Sequence, residues 1–487
     1  MRGGELMDGL SRYGAPPGWI LPPETVFSGI TADSRAVRKG MIFAALPGAR
    51  ADGRDFIAQA VAQGAAAVLA PSGTRWPPGV PPRPLIEDPE PRRRLAEIAA
   101  TLAGPLPETI LGVTGTNGKT STVDFIRQMA VASGRPAASL GTLGLIAPGF
   151  APGASLTTPD PVTLSDILAA LRAAGIGTVA LEASSHGLDQ FRLHGLRLAA
   201  GGFSNLTRDH LDYHGDMASY RRAKLRLFQD LLLPGAPAVA MADLEPDTLA
   251  ALRDIAQARR LDLATVGAGG DLFDLRGIIA TPSSQVLTIA CGGVSREIEL
   301  PLPGRFQVDN ALLAAGLARA AGVSDPLDRL PGLAPVRGRL ERAAVLPNGA
   351  AAYVDYAHTP DALERLLMAL RPHAAGRLVL VFGAGGDRDR GKRKLMGDVA
   401  ARLADVAIVT DDNPRSEDPA SIRAAILAAC PGAREIGDRR AAIAAGLDAL
   451  RAGDVLAVAG KGHESGQIVG DAVLPFDDAA VIRELAA

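Results

Sequence analysis

Short apolar runs alternate with longer amphipathic segments along most of the chain. Thr109–Val113 and Thr178–Leu181 have the composition of buried strands, whereas Pro161–Ala174 has the apolar spacing of a helix. The order of strand followed by helix predicts parallel sheets covered by helices on both faces. The same rhythm returns near the carboxyl end, where four further strands are predicted at Ala351–Asp355, Leu378–Phe382, Val406–Thr410 and Val455–Ala459.

Two interruptions of this rhythm predict where the domains meet. Gly104–Pro107 is a turn-rich segment directly before the first apolar strand. Ser284–Ala290 and Ser295–Leu300 alternate apolar and polar residues, which predicts antiparallel strands, and Gly304–Gly322 is expected to be a helix. A second boundary is expected near Leu333–Arg337. We therefore predict an α/β protein of three domains, at residues 1–106, 107–335 and 336–487.

Charge and composition restrict the possible classes of function. The 487 residues include 51 basic and 53 acidic side chains, so a net charge of -2 gives no electrostatic surface for nucleic acid or an anionic membrane. Two cysteines, Cys291 and Cys430, are too few for a disulfide framework and suit a reducing compartment. The segment Met1–Ser11 lacks an apolar signal core, and the apolar runs end well before the roughly 20 residues of a membrane span. We expect a cytoplasmic protein without membrane insertion.

The segment Ile110–Ser121 contains a glycine loop between an apolar strand and the start of a helix. Glycines allow backbone N–H groups to surround phosphate oxygens, and a helix N-terminus attracts negative charge. Lys119 can contact the β- and γ-phosphates, and the Thr120 hydroxyl can bind Mg²⁺. The general motif would have glycine where Val113 stands, and a chance glycine loop is the alternative. The Gly-Lys-Thr sequence after an apolar strand favours a nucleoside triphosphate site.

A carboxylate is predicted to lie beside this loop. Glu182 directly follows the strand Thr178–Leu181, at the sheet edge where the Mg²⁺ of a bound nucleotide is expected. A helix-capping or exposed glutamate is the alternative, but it would leave the Ser-Ser-His sequence after Glu182 unexplained.

The loop variant Gly115–Thr120 resembles the phosphate loop of the Mur ligases and of their folylpolyglutamate synthase relatives. The resemblance extends over nearly the whole chain. It implies a small N-terminal UDP-binding α/β domain, a central P-loop domain with a parallel sheet, and a C-terminal Rossmann-like domain. It also implies ATP and Mg²⁺ as cofactors and a monomer acting on small molecules.

The family resemblance assigns catalytic roles to Lys119, Glu182, His210 and Lys224. Glu182, His210 and Thr120 match metal ligands, whereas the role of the nearby His214 stays open. Composition alone would make Lys224 a solvated helix lysine. The family's matching lysine is carbamylated to N6-carboxylysine, which turns a cation into a carboxylate able to bind Mg²⁺ and requires a lowered lysine pKa.

The resemblance also implies a set of ATP contacts from two parts of the chain. One departure from the family pattern is Gln307, where the family usually has asparagine, so Gln307 is given no role. The implied contacts are Gly115, Thr116, Asn117, Gly118, Lys119, Thr120, Ser121, Asn310, Arg339, Asp355 and His358.

The resemblance also implies contacts to the sugar-peptide substrate, UDP-MurNAc-L-Ala-D-Glu, through hydroxyl, amide and guanidinium groups of the first two domains. Hydroxyls and guanidinium groups suit carboxylate and sugar oxygens. For the segment around Ser34, the alternative is that its residues only form a turn and do not contact substrate. The implied residues are Ser34, Thr157, Thr158, Ser184, Gln190 and Arg192.

The sequence Asp411–Arg415 indicates which amino acid is added. It follows a predicted strand, and an arginine there can bind a free carboxylate through two parallel hydrogen bonds. Diaminopimelate has a carboxylate and an amine at its distal end, whereas lysine has only the amine. The Asn-Pro-Arg form resembles diaminopimelate-adding members of the family. The implied contacts are Arg388, Asp412, Asn413, Pro414, Arg415, Gly460 and Glu464.

The expected activity is therefore ATP-dependent addition of meso-2,6-diaminopimelate to the D-glutamate γ-carboxylate through an acyl phosphate, in peptidoglycan biosynthesis. Folylpolyglutamate synthase would lack this first domain and the Asp-Asn-Pro-Arg loop. Other Mur ligases, including the lysine-adding one, lack the arginine of that loop. A P-loop regulatory switch or kinase is the alternative from another class, and it needs no third domain with amino-acid contacts.

Overall fold

The computed structural model describes residues 1–14, 21–48, 51–151, 156–281 and 284–487. The chain forms two compact units, one of Met1–Val266 with Leu313–Ser324 and one of Gly267–Leu312 with Asp325–Ala487. The predicted domain boundaries at 106 and 335 remain predictions. Within the described residues, no helix is long and apolar enough to cross a membrane.

The first unit begins with a four-stranded parallel sheet in the order β1-β2-β3-β4. Alternate residues of β2 point to opposite faces, so Ile42 and Ala44 join a core with α1 and α3, whereas Phe43 joins one with α2. The elements are α1 (Gly3–Leu10), β1 (Gly29–Thr31), β2 (Met41–Ala44), α2 (Ile57–Ala62), β3 (Ala67–Pro71), β4 (Leu85–Asp88) and α3 (Pro91–Ala103).

Seven further strands of the first unit follow the order β11-β10-β9-β5-β8-β6-β7, all parallel except β7. The elements are β5 (Thr109–Thr114), α4 (Lys119–Ala132), β6 (Ala137–Gly141), β7 (Gly144–Ile146), α5 (Pro161–Ala173), β8 (Thr178–Glu182), α6 (Ser185–Asp189), β9 (Ala200–Phe203), α7 (Leu211–His214), α8 (Met217–Arg226), β10 (Pro237–Met241), α9 (Pro246–Arg259) and β11 (Asp262–Gly267).

The second unit contains three consecutive antiparallel strands, a six-stranded, mostly parallel sheet that we call the second sheet, and a further antiparallel pair of strands near the carboxyl end. Its first elements are β12 (Phe273–Ala280), β13 (Gln285–Cys291) and β14 (Val294–Leu300). The helix α10 (Arg305–Ala318) begins in the range of the second unit and ends in that of the first. The alternation of apolar and polar residues therefore predicted the antiparallel pairing correctly.

The second sheet has the order β15-β16-β20-β17-β18-β19 and is parallel except for β15. Leu380 and Phe382 of β17 face one apolar core, and Val379 and Val381 face the other, so helices cover both faces as predicted. The elements are β15 (Glu341–Val345), β16 (Ala351–Asp355), α11 (Pro360–Leu370), β17 (Leu378–Phe382), α12 (Gly391–Leu403), β18 (Val406–Val409), α13 (Pro419–Leu427), β19 (Arg434–Glu435), α14 (Arg439–Asp448), β20 (Val455–Ala459), β21 (Gly466–Val469), β22 (Ala472–Pro475) and α15 (Asp478–Leu485).

Candidate active site

The phosphate loop joins β5 to α4, as its sequence predicts. Gly115 has a φ of 141°, and a Cβ there would lie 1.9 Å from the Ser204 hydroxyl, so only glycine fits without rearrangement. Asn205 holds the loop from the neighbouring strand: its backbone oxygen accepts the N–H of Thr116 at 2.9 Å, and its Oδ1 accepts that of Asn117 at 2.9 Å. Sequence reasoning gave Asn205 no role, because its partners lie almost 90 residues away.

Two lysines approach the same carbonyl oxygen of this loop. The Nζ of Lys119 donates to the oxygens of Gly115 and Thr116 at 2.9 and 2.8 Å, and the Nζ of Lys224 donates to Gly115 at 2.7 Å. Lys224 is 1% exposed and its ammonium lies 4.4 Å from the centre of the Tyr220 ring. Burial, together with the positive charge of Lys119, lowers the pKa of Lys224 well below its usual range.

Lys224 therefore lies in an environment that favours a neutral amine. In the described part of the chain, no Asp or Glu carboxylate forms an ion pair with it. A buried ammonium without a counter-charge has a high desolvation cost, and a neutral amine or a metal-bound carbamate avoids that cost. Burial and a lowered pKa are thus observed for Lys224, and its carbamylation stays a prediction.

Glu182 ends β8 in register with Val113 of β5, and it is 1% exposed. Its Oε1 accepts the backbone N–H of Thr142 at 2.8 Å, and its Oε2 accepts the Thr142 hydroxyl at 3.3 Å. Gly141 is needed beside it, since a Cβ there would lie 2.1 Å from Glu182 Oε1. Thr142, which sequence reasoning missed, thus orients the carboxylate at the end of the strand next to the phosphate loop.

The oxygen donors here suit Mg²⁺, which prefers carboxylate and hydroxyl ligands and retains phosphate and water oxygens. Thr120 lies on the first turn of α4, and Glu182 is a buried hard donor. Among the described residues, no group of three or more His, Cys, Asp or Glu side chains could hold a metal by itself. The residues therefore fit Mg²⁺ when nucleotide phosphates or a Lys224 carbamate complete the ligand set.

His210 lies in a cluster of aromatic and imidazole rings. It has a φ of 52°, and its ring centre is 5.0 Å from that of His186. His186 also lies 5.5 Å from His214 and 4.1 Å from Tyr213, measured between ring centres. Burial lowers the pKa values of His186 and His214, so both rings favour the neutral form.

Four of the six residues predicted to bind the sugar-peptide form one hydrogen-bonded group, and a fifth, Thr157, bonds to Thr142 instead. The Thr158 hydroxyl bonds to Ser184 Oγ at 2.9 Å, and the Thr158 carbonyl accepts Arg192 Nη1 at 2.7 Å. Arg192 also donates through Nη2 to Gln190 Oε1 at 2.8 Å, and Thr157 Oγ1 lies 3.1 Å from the hydroxyl of Thr142. The sixth residue is Ser34, half-buried in a short 3₁₀ helix (Ser34–Ala36) after β1.

In the second unit, Gln307 connects two predicted ATP contacts. Its Oε1 accepts Asn310 Nδ2 at 3.1 Å, and its Nε2 donates to the carbonyl of Arg339 at 3.2 Å. Gln307 is fully buried. The longer amide arm, which the sequence presented as a departure from the family pattern, thus supports Arg339. Within the part of the chain that the structure describes, the buried Nε of Arg339 has no hydrogen-bond partner, which suits an incoming anion such as phosphate.

Asp355 is the last residue of β16, and His358 lies in the loop that follows. The two oxygens of Asp355 accept the backbone N–H groups of Leu340 and Ala357, each at 2.8 Å, so this carboxylate holds the segment that carries Arg339. Burial raises the pKa of Asp355. The ring of His358 lies 2.9 Å, through Nδ1, from the carbonyl of Tyr356, and burial lowers its pKa.

The predicted amino-acid loop follows β18, where Asp412, Asn413 and Pro414 are buried and Arg415 is half-buried. Arg415 has a φ of 53°, and its Nη1 donates to the carbonyl of Gly386 at 2.8 Å. Arg388 is exposed on the same glycine-rich loop. Arg415 and Arg388 therefore follow neighbouring strands, at the carboxyl ends of β18 and β17, where ligands bind in open α/β sheets.

Gly460 and Glu464 follow β20 and contact this loop. A Cβ at Gly460, whose φ is 118°, would lie 2.9 Å from Asp412 Oδ2. Glu464 Oε2 accepts the Nδ2 of Asn413 at 2.9 Å. All seven residues predicted to bind the amino acid thus lie on loops at the same edge of the second sheet. Lys461, to which the sequence assigned no role, lies fully buried among them.

Comparison with known proteins gives the same family over all three parts of the chain. Residues 26–101 match the Mur ligase family catalytic domain, residues 113–318 the Mur ligase middle domain, and residues 338–462 the Mur ligase glutamate ligase domain. The match at 26–101 provides the first domain that the folylpolyglutamate synthase alternative would lack.

Two similar proteins are named UDP-N-acetylmuramoyl-L-alanyl-D-glutamate–2,6-diaminopimelate ligase. The one from Caulobacter vibrioides is 54% identical over 472 residues, covering 94% of this chain and 95% of its own. The one from Mesorhizobium japonicum is 51% identical over 480 residues, covering 96% and 98%. A solved structure with the same name is 34% identical, covers 98% of both chains and has a TM-score of 0.74. The chain therefore belongs to the Mur ligase family.

Proposed function

We propose that this protein is an ATP-dependent ligase that adds meso-2,6-diaminopimelate to UDP-MurNAc-L-Ala-D-Glu in peptidoglycan biosynthesis. The observation that carries the choice of amino acid is the loop Asp412–Arg415, which places a guanidinium and a carboxylate partner, Glu464, at one sheet edge. A guanidinium suits the distal carboxylate of diaminopimelate, and a carboxylate suits its distal ammonium. The names of the similar proteins support the same activity.

The chemistry follows from the need to activate a carboxylate. An oxygen of the D-glutamate γ-carboxylate attacks the γ-phosphorus of ATP, the bond to the β-phosphate oxygen breaks, and an acyl phosphate and ADP result. The neutral amine of diaminopimelate then attacks the acyl carbon, loses a proton, and inorganic phosphate leaves with the C–O bond electrons. Lys119 and Arg339 are assigned to the charge on the transferred phosphoryl group. No covalent enzyme nucleophile is required.

Mg²⁺ would be held by Thr120, Glu182, His210 and a Lys224 carbamate, and it would neutralise phosphate charge when bound. The carbamate forms when the neutral Nζ of Lys224 attacks CO₂ and loses a proton. The burial of Lys224 beside Lys119 supports this modification, since it favours the reactive neutral amine. The other ATP contacts that we assign are Gly115, Thr116, Asn117, Gly118, Ser121, Asn310, Asp355 and His358.

We further propose that the domains end near residues 106 and 335 and that the protein acts as a cytoplasmic monomer. Both cysteines are free thiols, which suits a reducing compartment. The assigned sugar-peptide contacts are Ser34, Thr157, Thr158, Ser184, Gln190 and Arg192.

Phosphate release with ATP and the UDP-sugar dipeptide tests the activity. The assay compares diaminopimelate, lysine and no amino acid. We expect release that depends on diaminopimelate, with one amide product per phosphate by mass spectrometry. Equal release with lysine would remove the proposed specificity. Release without any amino acid, at the same rate, would favour a P-loop switch or kinase instead.

A further inference from the structure

Lys461 lies beneath the residues assigned to diaminopimelate, but its side chain is 0% exposed and is thus closed to solvent. Its Nζ donates to Asn413 Oδ1 at 2.8 Å and to the carbonyl of Gly466 at 2.8 Å. Two carboxylates complete its surroundings, with Asp412 Oδ1 at 3.6 Å and Glu464 Oε2 at 3.8 Å. Burial lowers the pKa of Lys461, and the nearby Asp412 opposes that effect. An ammonium in such a position is retained only with close partners.

The contacts of Lys461 fix the orientation of one amide. Asn413 Oδ1 accepts both Lys461 Nζ and the backbone N–H of Ile468, the latter at 2.9 Å. With two donors on its oxygen, the amide must direct Nδ2 the other way, where it donates to Glu464 Oε2 at 2.9 Å. The position of Glu464 therefore depends on the ammonium of Lys461.

The same residues also fix Arg415. The carbonyl of Ile468, in β21, accepts the backbone N–H of Arg415 at 3.1 Å, and the carbonyl of Arg415 accepts the N–H of Gly470 at 2.8 Å. Lys461 holds the start of β21 through Gly466. Arg415 keeps a left-handed backbone, which is unfavourable for a residue other than glycine. Such a conformation persists only where surrounding bonds enforce it.

We propose that Lys461 is a positioning residue that sets the spacing between Arg415 and Glu464, and thereby the preference for diaminopimelate over lysine. This inference rests on the proposed function. At its distal end, diaminopimelate presents a carboxylate and an ammonium on one carbon, so its binding requires Arg415 and Glu464 at a fixed separation. At the same end, lysine presents the ammonium alone and depends only on Glu464. Loss of Lys461 therefore weakens diaminopimelate more than lysine.

The test uses the full-length variants Lys461→Met and Lys461→Arg, with Lys394→Met on the exposed surface of α12 as the matched control. We expect Lys461→Met to raise the KM for diaminopimelate on the order of 10–100-fold, as when outer partners of a site are removed. The KM for ATP should change less than about twofold, and the preference for diaminopimelate over lysine should fall. The variant Lys461→Arg keeps a cation and should retain part of that preference. The control should behave as the wild type.

Unchanged diaminopimelate KM in Lys461→Met, or an equal rise in every KM, would overturn the inference. If Lys461→Met does not fold, Gln467→Leu provides the test. The Nε2 of Gln467 donates to the carbonyl of Asp412 at 2.7 Å and so holds β21 against the same loop. The Gln467→Leu variant should raise the diaminopimelate KM selectively, and a wild-type KM would refute the role of this support. Failure of the proposed function is distinct, since the wild type would then show no diaminopimelate-dependent phosphate release.

Discussion

Replacing Arg415 with alanine tests the choice of amino acid most directly. The change removes the guanidinium assigned to the distal carboxylate, together with its bond to Gly386. Truncating one partner of a buried charge pair costs 2–5 kcal/mol, and the half-buried position of Arg415 places it at the low end, about 2–3 kcal/mol. At 1.4 kcal/mol for each factor of ten, the KM for diaminopimelate should rise about 30–150-fold.

The backbone of Arg415 provides an internal control. Its φ of 53° is unfavourable for arginine and alanine alike but not for glycine. If the effect comes from the lost guanidinium, Arg415→Ala and Arg415→Gly should have the same diaminopimelate KM. If it comes from a displaced backbone, the two variants should differ.

The assay is steady-state phosphate release, with each of the three substrates varied in turn. We expect the KM for ATP and for the UDP-sugar dipeptide to stay within about twofold of the wild type, since a lost contact to one ligand raises that ligand's KM alone. Equal increases for ATP and diaminopimelate, or no change in either, would refute the assignment of Arg415.

Other changes test separate parts of the site. Lys224→Ala should abolish activity, and formate or acetate should restore part of it by replacing the carbamate; an active, unrescued alanine variant would exclude the modification. Gly115→Ala should weaken ATP binding by calorimetry, because the new Cβ would lie 1.9 Å from a hydroxyl at a φ of 141°, and wild-type affinity would contradict this. Gln307→Leu should raise the KM for ATP roughly tenfold through a lost buried hydrogen bond, and an unchanged KM would show that its support is dispensable. Arg439→Leu leaves the fully buried Asp478 unpaired and should destabilise the second unit by about 3–5 kcal/mol in urea, whereas a double leucine variant should recover.

The buried parallel strands could be predicted closely because each is a nearly continuous apolar run. Leu378–Phe382 and Val455–Ala459 have the predicted bounds, and Val406–Val409 ends one residue early. The phosphate loop could be predicted as well, since its glycines, lysine and threonine act through local backbone geometry. These features depend on neighbours in sequence, so composition and spacing are sufficient.

Other features depend on partners distant in sequence. Gln307 was an unexplained departure until its amide was found between Asn310 and the carbonyl of Arg339, 32 residues away. Lys461 stands between two glycines in the sequence, and nothing in these neighbours indicates a fully buried ammonium. The sequence predicted ligand contacts around Lys461 but gave no role to Lys461 itself.

The sequence by itself determined the α/β class, the phosphate loop and the family resemblance, because periodicity and local motifs are written in consecutive residues. Only the tertiary structure decided the environment of each charge. Lys224 is a plain helix lysine in sequence, yet the fold buries it beside Lys119 and bonds it to Gly115, 109 residues away. A charge's pKa and partners follow from burial and long-range contacts, which exist only once the chain has folded.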